Sequence, residues 1–261
     1  MFDYHLHSNV SFDSKSTAAD MVAAAERAGL KEICFTDHYD FNDTPAELIY
    51  AFDEGAYRAA YDHLRSDSLK IRRGIEFGIT PWNRDKLPPL ASIYDFDFVI
   101  GSVHQVGGYD PYRKEYWEGR SVRESFETYV AQTLECVRAN ADFDVLGHIN
   151  YVCKSPNNPT HEPLHYGDLC DLFDEIMRTL AQNGKGMEIN TSGVDRCGIF
   201  LPTFDFIKRF RELGGEIITV GTDSHDPTRV GQYIDGALDI ARETFGYVCT
   251  FEGRKPIFHK L

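Results

Sequence analysis

Two histidines lie one residue apart at the start of the chain, at His5 and His7. In a β-strand alternate side chains point to the same face, so the two imidazoles would project together from Cα atoms roughly 6.5 Å apart. At that spacing they can bind one metal ion. A zinc-type site needs three or four ligands, so the pair alone is a weak signal and also fits two histidines on a solvated strand face.

Further side chains of metal-binding types follow short apolar runs along the rest of the chain. The run 32–36 is followed by Asp37 and His38, and the run 216–220 by Asp223 and His225. A single His or Glu at such a position more often forms ordinary hydrogen bonds, but a series of them favours a metal site. Imidazole and carboxylate ligands without thiolate suit zinc, manganese or iron. The candidate ligands are His5, His7, Asp13, His38, Glu76, His104, His148, Asp223 and His225.

The apolar runs alternate with segments of helical periodicity. The first helix would begin at a cap on Ser16 or Thr17 and end at Gly29. After the strand that carries His5 and His7, the predicted strands are 32–36, 70–77, 96–103, 143–146, 186–189, 216–220 and 247–251. The other predicted helices are 121–140, 166–183, 203–213 and 230–245, with one within 45–65. Alternating strands and helices imply a parallel sheet, and this many units favour a closed barrel. Barrel enzymes place their chemistry at the C-terminal strand ends, where the candidate ligands fall.

The bulk composition fits one α/β domain. The chain has 261 residues, of which 42% are hydrophobic, and no linker or break in composition divides it, so residues 1–261 are expected to form a single domain. The formal net charge is −14, from 27 basic and 41 acidic residues, and there is no Lys/Arg run. This charge pattern argues against binding to nucleic acid or to an anionic membrane surface.

The cysteines and the N-terminal segment indicate the cellular compartment. The six cysteines are scattered without a Cys-x-x-Cys pair, which is typical of reduced thiols in a cytoplasmic protein. The chain enters its first strand at once, with no signal segment, and no apolar run reaches a transmembrane length. We therefore expect a soluble cytoplasmic protein.

Seven short motifs carry the candidate ligands and their neighbours in a fixed order: His5-x-His7, Thr36-Asp37-His38, Gly74-Ile75-Glu76, Gly101-Ser102-Val103-His104, Gly147-His148, Glu188-Ile189-Asn190 and Gly221-Thr222-Asp223-Ser224-His225. In this order they resemble the motifs of the polymerase and histidinol phosphatase (PHP) superfamily. The length and layout are most similar to the histidinol-phosphate phosphatases of that superfamily, and the resemblance spans nearly the whole chain.

The resemblance implies a distorted (β/α)7 barrel that holds two or three divalent transition-metal ions, either zinc, manganese or iron. It further implies that Glu76 bridges two of these ions. The implied ligands are His5, His7, Glu76 and Asp223 for the first ion, Glu76, His104 and His148 for the second, and Asp13, His38 and His225 for the third. Many relatives carry His at the position of Asp13, and a carboxylate there shifts the preference toward harder ions.

The implied reaction is hydrolysis of a phosphate monoester, in particular of L-histidinol phosphate to L-histidinol and phosphate in histidine biosynthesis. Adjacent cations can neutralise a phosphate dianion and promote attack of water on phosphorus without a phosphoenzyme intermediate. Glu76 and Asp223 are predicted to be catalytic as metal ligands. Asp37, next to a ligand, is predicted to act as an orienting group or a proton acceptor.

Substrate contacts are predicted from basic and polar residues after the strand ends. Lys154 and Arg196 are candidates for binding phosphate, although either could be an ordinary surface cation. Asn190 and Glu188 could form hydrogen bonds with substrate or with groups behind the metal ligands, or either could merely close the floor of the pocket. The loop 107–120 is rich in aromatic and acidic residues and could cover a substrate that carries an imidazole and an ammonium group, but such loops are more often simply surface. His161 and His165 in the loop 156–165 are predicted to lie at the surface or in a lid.

Two rival functions remain open at this stage. A related phosphoesterase that acts on a nucleotide or another small phosphate ester would need the same metals but a different loop chemistry. A non-catalytic metal-binding module would be expected to lack ligands, whereas here only Asp13 departs from the commonest pattern. A nuclease acting on long nucleic acid is disfavoured because no basic track accompanies the candidate site.

Overall fold

The computed structural model describes residues 1–40, 52–82 and 89–261. Its centre is a parallel sheet in the order β1-β2-β4-β5-β6-β7-β8, with β3 paired to β4. Apart from β2 and β3, strands that are consecutive in the chain are neighbours in the sheet, and the connections between them run outside the barrel, as expected for βα units. The strands are β1 (Phe2–Leu6), β2 (Glu32–Phe35), β3 (His38–Asp40), β4 (Lys70–Gly78), β5 (Phe98–Ser102), β6 (Val145–Leu146), β7 (Gly186–Asn190) and β8 (Ile218–Gly221).

β2 and β3 occupy one strand position in the barrel. β2 pairs with the first half of β4, where Phe35 lies opposite Arg73, and β3 pairs with the second half, where His38 lies opposite Glu76. The register is unchanged across the break at Thr36 and Asp37. The barrel therefore has seven strand positions, which confirms the predicted distorted (β/α)7 architecture.

The barrel nearly closes where β1 meets the end of β8. A parallel bridge joins Leu6 to Ser224, and the His7 amide donates to the Ser224 carbonyl at 2.9 Å. Below this bridge the fully buried Asp3 carboxylate accepts hydrogen bonds from the Thr222 amide (2.9 Å), the Thr222 hydroxyl (2.6 Å) and the Gly231 amide (3.1 Å). Asp3 thus holds the first and last strands of the barrel together.

We expect Asp3→Ala to lower the free energy of unfolding by about 3 kcal/mol, because the loss of the carboxylate leaves several buried donors unsatisfied at about 1–3 kcal/mol each. Chemical denaturation of both proteins would measure this difference. Asp239→Ala, at an exposed position on the last helix, is the matched control and should change stability by less than about 0.5 kcal/mol. Equal stability of Asp3→Ala and the wild type would contradict this account of barrel closure.

The helices pack around the barrel, and three of them begin at side-chain caps, one of which is Asp53, whose carboxylate accepts from the Ala56 amide. Thr17 accepts from the Asp20 amide, and Ser121 forms a capping box with Glu124. Of the predicted helix within 45–65, residues 45–51 lie outside the described residues. The short helices 114–117 and 193–197 were not predicted, because one turn gives no periodic pattern. The helices are Ala18–Arg27, Glu54–Tyr61, Lys114–Trp117, Val122–Ala139, Cys170–Gln182, Gly193–Cys197, Phe204–Glu212 and Ile234–Thr244, with 3-10 turns at Leu90–Ser92, Tyr151–Lys154, Tyr166–Asp168 and Pro227–Arg229.

A C-terminal hairpin covers the N-terminal end of the barrel. Its strands β9 (Tyr247–Glu252) and β10 (Lys255–Lys260) are antiparallel, and both turn residues, Gly253 and Arg254, have positive φ, as in a type I′ turn. Phe251 packs on Phe98 at a ring-centroid distance of 4.7 Å, and its amide donates to the Tyr4 hydroxyl at 3.1 Å. β9 confirms the predicted last strand, whereas β10 was not predicted. Among the described residues, none of the helices combines the length and hydropathy needed to cross a bilayer.

Candidate metal centre

The predicted metal ligands converge at the C-terminal ends of the barrel strands. They surround a pocket with a volume of about 540 Å³. His5 and His7 are fully buried beneath it. The pocket itself is lined by the other predicted ligands, which are Asp13, His38, Glu76, His104, His148, Asp223 and His225.

The deepest group consists of His5, His7, Glu76 and Asp223, whose ligand atoms all lie within 4.8 Å of one another. His5 Nε2 is 3.2 Å from Glu76 Oε2, and His7 Nε2 is 3.3 Å from Asp223 Oδ1. His5 Nε2, His7 Nε2 and Glu76 Oε2 are buried and have no hydrogen-bond partner among the described residues. Because buried polar atoms are normally satisfied, these orphaned atoms fit a divalent cation between them.

Contacts on the far side of each imidazole fix its orientation. His5 Nδ1 lies 2.6 Å from Glu188 Oε1, and His7 Nδ1 lies 3.1 Å from Ser11 Oγ. The Ser11 hydroxyl donates to Asp37 Oδ1 at 2.8 Å, so it can only accept from His7. Both rings therefore carry their hydrogen on Nδ1 and direct the Nε2 lone pair at the group of ligands.

Asp37 lies behind His7 rather than in the pocket. Its side chain is fully buried and accepts hydrogen bonds from Ser8, Ser11 and Tyr61. This position suits the orienting role, which stays a prediction. A proton acceptor must reach the reacting groups, so the alternative role is not supported by this placement.

A second group consists of Glu76, His104 and His148. Glu76 Oε1 lies 2.9 Å from His148 Nε2 and 3.1 Å from His104 Nε2. Since Glu76 Oε2 faces the first group, one carboxylate connects the two groups. This geometry matches the bridging position implied by the sequence motifs.

The third group lies nearer to the pocket mouth. Ligand atoms of His7, His38 and His225 come within 4.8 Å of one another. Asp13 Oδ2 is 3.0 Å from His225 Nε2 and 3.5 Å from His38 Nε2, and 37% of its side chain is exposed. Asp13 therefore lies where the sequence motifs predict a ligand for the third ion. This is the most solvent-accessible part of the centre.

Asp40 is a member of the centre that sequence reasoning missed. It lies on β3, and its carboxylate oxygens are 2.8 Å from His104 Nδ1 and 3.3 Å from His38 Nδ1. A Cβ at Gly78 on the neighbouring strand would collide with it, so the glycine leaves room for this carboxylate. The spacing His38-x-Asp40 repeats that of His5-x-His7 and could have revealed Asp40.

The electrostatics of the centre keep its carboxylates ionised. Burial acts to raise the pKa of Glu76, but the surrounding imidazoles, His5 above all, hold it well below its usual value. Burial opposes ionisation of Asp223 as well, and Lys154 with His5 holds the pKa of that carboxyl low. Burial and the neighbouring His225 and His38 lower the pKa of His7, which favours the neutral ring that a metal requires.

Lys154 and Arg196, whose role as phosphate contacts stays a prediction, both line the pocket. Lys154 Nζ lies 3.1 Å from Ser192 Oγ and forms an ion pair with Asp223. Arg196 is exposed on the helix 193–197, and within the described parts of the chain it forms no ion pair. The two cations thus differ, since one is largely enclosed beside a candidate metal ligand and the other is exposed on the rim.

Asn190 does not line the pocket, and of its predicted roles this position suits the contact with groups behind the candidate ligands. Its side chain is fully buried. Its Nδ2 atom donates to Glu188 Oε2 at 3.1 Å. Its Oδ1 atom accepts from the Ser192 backbone amide at 2.9 Å and from the Ser192 hydroxyl at 2.6 Å. With its polar atoms occupied, Asn190 supports Glu188, which in turn orients His5.

The remaining histidines lie away from the centre. His63, His161 and His165 are exposed, in agreement with the interpretation of the latter two as surface or lid residues. His259 is half-buried on β10, and its Nε2 atom lies 2.7 Å from the Thr250 hydroxyl. The cysteines are unpaired, and Cys34, Cys136, Cys153 and Cys249 are buried, as expected for packing residues.

Known proteins resemble the chain over nearly its whole length. A probable histidinol-phosphatase from Clostridium acetobutylicum is 31% identical to it, covering 99% of this chain and 96% of the relative. The histidinol-phosphatase of Lactococcus lactis is also 31% identical, with 97% and 95% covered. The crystal structure of the Lactococcus lactis histidinol phosphate phosphatase, complexed with zinc, L-histidinol and phosphate, matches with a TM-score of 0.85 at 30% identity and 98% coverage of both chains.

Residues 3–192 match the PHP domain family, and this range contains the first six of the seven motifs. The seventh motif, with Asp223 and His225, is brought into the same centre by the closing of the barrel. The chain therefore belongs to the PHP domain family.

Proposed function

We propose that this chain is a single-domain, metal-dependent phosphomonoesterase that hydrolyses L-histidinol phosphate to L-histidinol and phosphate. The observation that carries the proposal is the group of buried, orphaned ligand atoms of His5, His7 and Glu76 beside a pocket that also contains Lys154 and Arg196. Such a pocket combines a cation site with groups that bind phosphate. The similarity to histidinol-phosphatases over almost the whole chain supports the choice of substrate.

The residues present fit two or three divalent ions, and zinc, manganese and iron all accept such ligands. Bound ions would supply Lewis acidity that offsets the charge of the phosphoryl oxygens and favours ionisation of the attacking water. The first would be held by His5, His7, Glu76 and Asp223, the second by Glu76, His104 and His148, and the third by Asp13, His38 and His225. The zinc complex of the Lactococcus lactis relative supports zinc among the candidates.

The chain's own residues would position the reaction. Lys154 acts as a compact point charge on a phosphoryl oxygen, and Arg196 can bind two oxygens through its planar guanidinium. Glu188 and Ser11 hold the rings of His5 and His7 in place, so the ligand atoms are preorganised.

Hydrolysis is proposed to proceed by direct attack of water on phosphorus, without a phosphoenzyme. The carboxylates and imidazoles of the candidate ligand groups lie against one another, which leaves them poorly placed to act as nucleophiles. Rapid-quench trapping with labelled substrate should yield no phosphorylated protein. A phosphorylated His or Asp would overturn this mechanism.

Steady-state assays of the metal-loaded protein test the substrate assignment. We expect kcat/KM for L-histidinol phosphate to exceed that for nucleoside monophosphates and sugar phosphates by about 100-fold or more, since specific contacts to the organic group add to the common phosphate contacts. A clear preference for a nucleotide or another small ester would overturn the assignment and favour the related phosphoesterase instead. Binding of metal without hydrolysis of any ester would indicate a non-catalytic module.

Replacing Arg196 with Ala should raise KM for the phosphate ester about tenfold with little change in metal content, because a rim guanidinium contributes a charge-assisted hydrogen bond to phosphate and does not contact the metal ligands. Steady-state kinetics and elemental analysis measure the two quantities. Arg123→Ala, at an exposed arginine that pairs with Glu127, is the matched control. An unchanged KM would remove Arg196 from the phosphate site.

A further inference from the structure

One wall of the pocket is formed by Asp110, Tyr112 and Tyr151. The two tyrosine rings stack with centroids 5.3 Å apart and an angle of 30° between their planes. Tyr151 also lies 5.0 Å from the His148 ring and 5.2 Å from the His104 ring. This wall therefore starts at the candidate metal ligands and extends outward along the pocket.

Asp110 presents an uncompensated carboxylate to the pocket. Its Oδ1 accepts hydrogen bonds from the Tyr112 amide at 2.8 Å and the Tyr151 hydroxyl at 3.3 Å. In the part of the chain that the structure describes, it forms no ion pair with Lys or Arg, whereas Asp223 on the same pocket is paired with Lys154. Burial raises the pKa of Asp110, as expected for a carboxylate that lacks a cationic partner. A cationic ligand would supply that partner.

Hydrogen bonds hold the segment around Asp110 in a fixed position. The carbonyl of the next residue, Pro111, accepts from Trp117 Nε1 at 2.8 Å and from Ser155 Oγ at 2.6 Å. Asn157 Nδ2 donates to the Tyr112 carbonyl at 2.5 Å. The two loops predicted from sequence, 107–120 and 156–165, are thus joined to each other, and the carboxylate is preorganised for a ligand.

Tyr151 contacts both Asp110 and Lys154, the residue that is proposed to bind phosphate. Its hydroxyl contacts Asp110, and its ring centroid is 5.2 Å from Lys154 Nζ. A negative and a positive group therefore flank one tyrosine side chain. A molecule that carries a phosphate ester on one carbon and an ammonium group on the adjacent carbon has the complementary charges at a similarly short separation.

We propose that Asp110 binds the ammonium group of an amino-alcohol phosphate and so selects substrates with a cationic nitrogen beside the ester. The inference rests on the proposed function, since it identifies the ammonium of L-histidinol phosphate as the group that Asp110 recognises. Neighbouring Tyr112 and Tyr151 hold the carboxylate in position.

The test compares Asp110→Asn with the wild type in the metal-loaded full chain. The compounds are L-histidinol phosphate and O-phosphoethanolamine, which carry the ammonium, and 3-(imidazol-4-yl)propyl phosphate and p-nitrophenyl phosphate, which do not. We expect KM, or the inhibition constant of a compound that is not turned over, to rise about tenfold or more for the first two and to stay within about twofold for the others. Asparagine keeps the shape of the side chain and one oxygen acceptor, so the Tyr112 and Tyr151 contacts can persist. Asp171→Asn, at an exposed position on the helix 170–182, is the matched control.

Other outcomes would overturn the inference. An equal increase for all four compounds would show that Asp110 only supports the wall, and no change for any of them would show that it makes no contact. An increase for both imidazole-bearing compounds without one for O-phosphoethanolamine would assign Asp110 to the imidazole instead of the ammonium. If the wild type fails to prefer L-histidinol phosphate, the proposed function fails, while O-phosphoethanolamine against p-nitrophenyl phosphate still decides the role of Asp110.

Discussion

Glu76→Gln is expected to reduce kcat by about 10³-fold or more and to lower the metal content of the purified protein. Glu76 is fully buried, one carboxylate oxygen faces His104 and His148, and the other faces His5 at 3.2 Å. A neutral amide offers one oxygen acceptor and places an NH₂ donor where the second ligand oxygen was. Replacing a residue that supports a metal ligand typically lowers metal affinity or activity by about 10–100-fold. Loss of the carboxylate that connects the two ligand groups should therefore lower them further. Elemental analysis and steady-state kinetics measure both effects.

Glu243→Gln is the matched control for this variant, because Glu243 is exposed on the last helix and does not line the pocket. Circular dichroism and thermal unfolding would show whether the Glu76 variant still folds. A folded Glu76→Gln protein with full metal content and normal turnover would contradict the placement of Glu76 between two ions. Loss of metal from one group with retention in the other would show that the two groups bind independently.

Removal of metal by chelation should abolish phosphatase activity, and adding back zinc or manganese should restore it. The buried Nε2 atoms of His5 and His7 and the Oε2 atom of Glu76 have no other partner among the described residues, so the bound form should also be the more stable one. An ion present at about 1,000 times its dissociation constant contributes about 4 kcal/mol. For a chain of this size we expect Tm to fall by roughly 10 °C on chelation.

The control for chelation is Glu76→Gln, whose Tm should respond less because its metal groups are already impaired. Titration of the metal-free protein with zinc, followed by calorimetry, would give the number of ions and thereby test the third group around Asp13. Full activity in a sample shown to be metal-free would refute the proposed mechanism. Activity restored by magnesium but by no transition metal would contradict the choice of ions.

Much of the centre could be predicted from local sequence rules. Strand alternation places His5 and His7 on one face, and short apolar runs that end in His38, Glu76 or His148 mark the C-terminal strand ends of a parallel barrel. These rules need only the neighbouring residues along the chain. They were sufficient for the fold class, for the longer strands and helices of the barrel, and for the positions from which the candidate ligands project.

Other features depended on contacts between distant segments. Local patterns cannot say whether a polar side chain points into a pocket or beneath it, because that depends on the neighbouring strands. Asn190 illustrates this, since Glu188 and Ser192 occupy its polar atoms below the pocket. Asp40 was overlooked although it lies two residues after His38, and only the fold shows that its carboxylate meets His104 from the end of β5, with β4 between the two segments.

The sequence by itself determined which residue types stand at the strand ends and on which face His5 and His7 project, because alternation along a strand is a local property of the backbone. Only the tertiary structure decided that these two rings meet Asp223 from the far end of the chain, and that Glu188 and Ser11 turn their Nε2 atoms toward it. That meeting requires the Leu6–Ser224 bridge that closes the barrel. Its geometry is set by the stagger of all the strands together, a quantity that no single stretch of sequence contains.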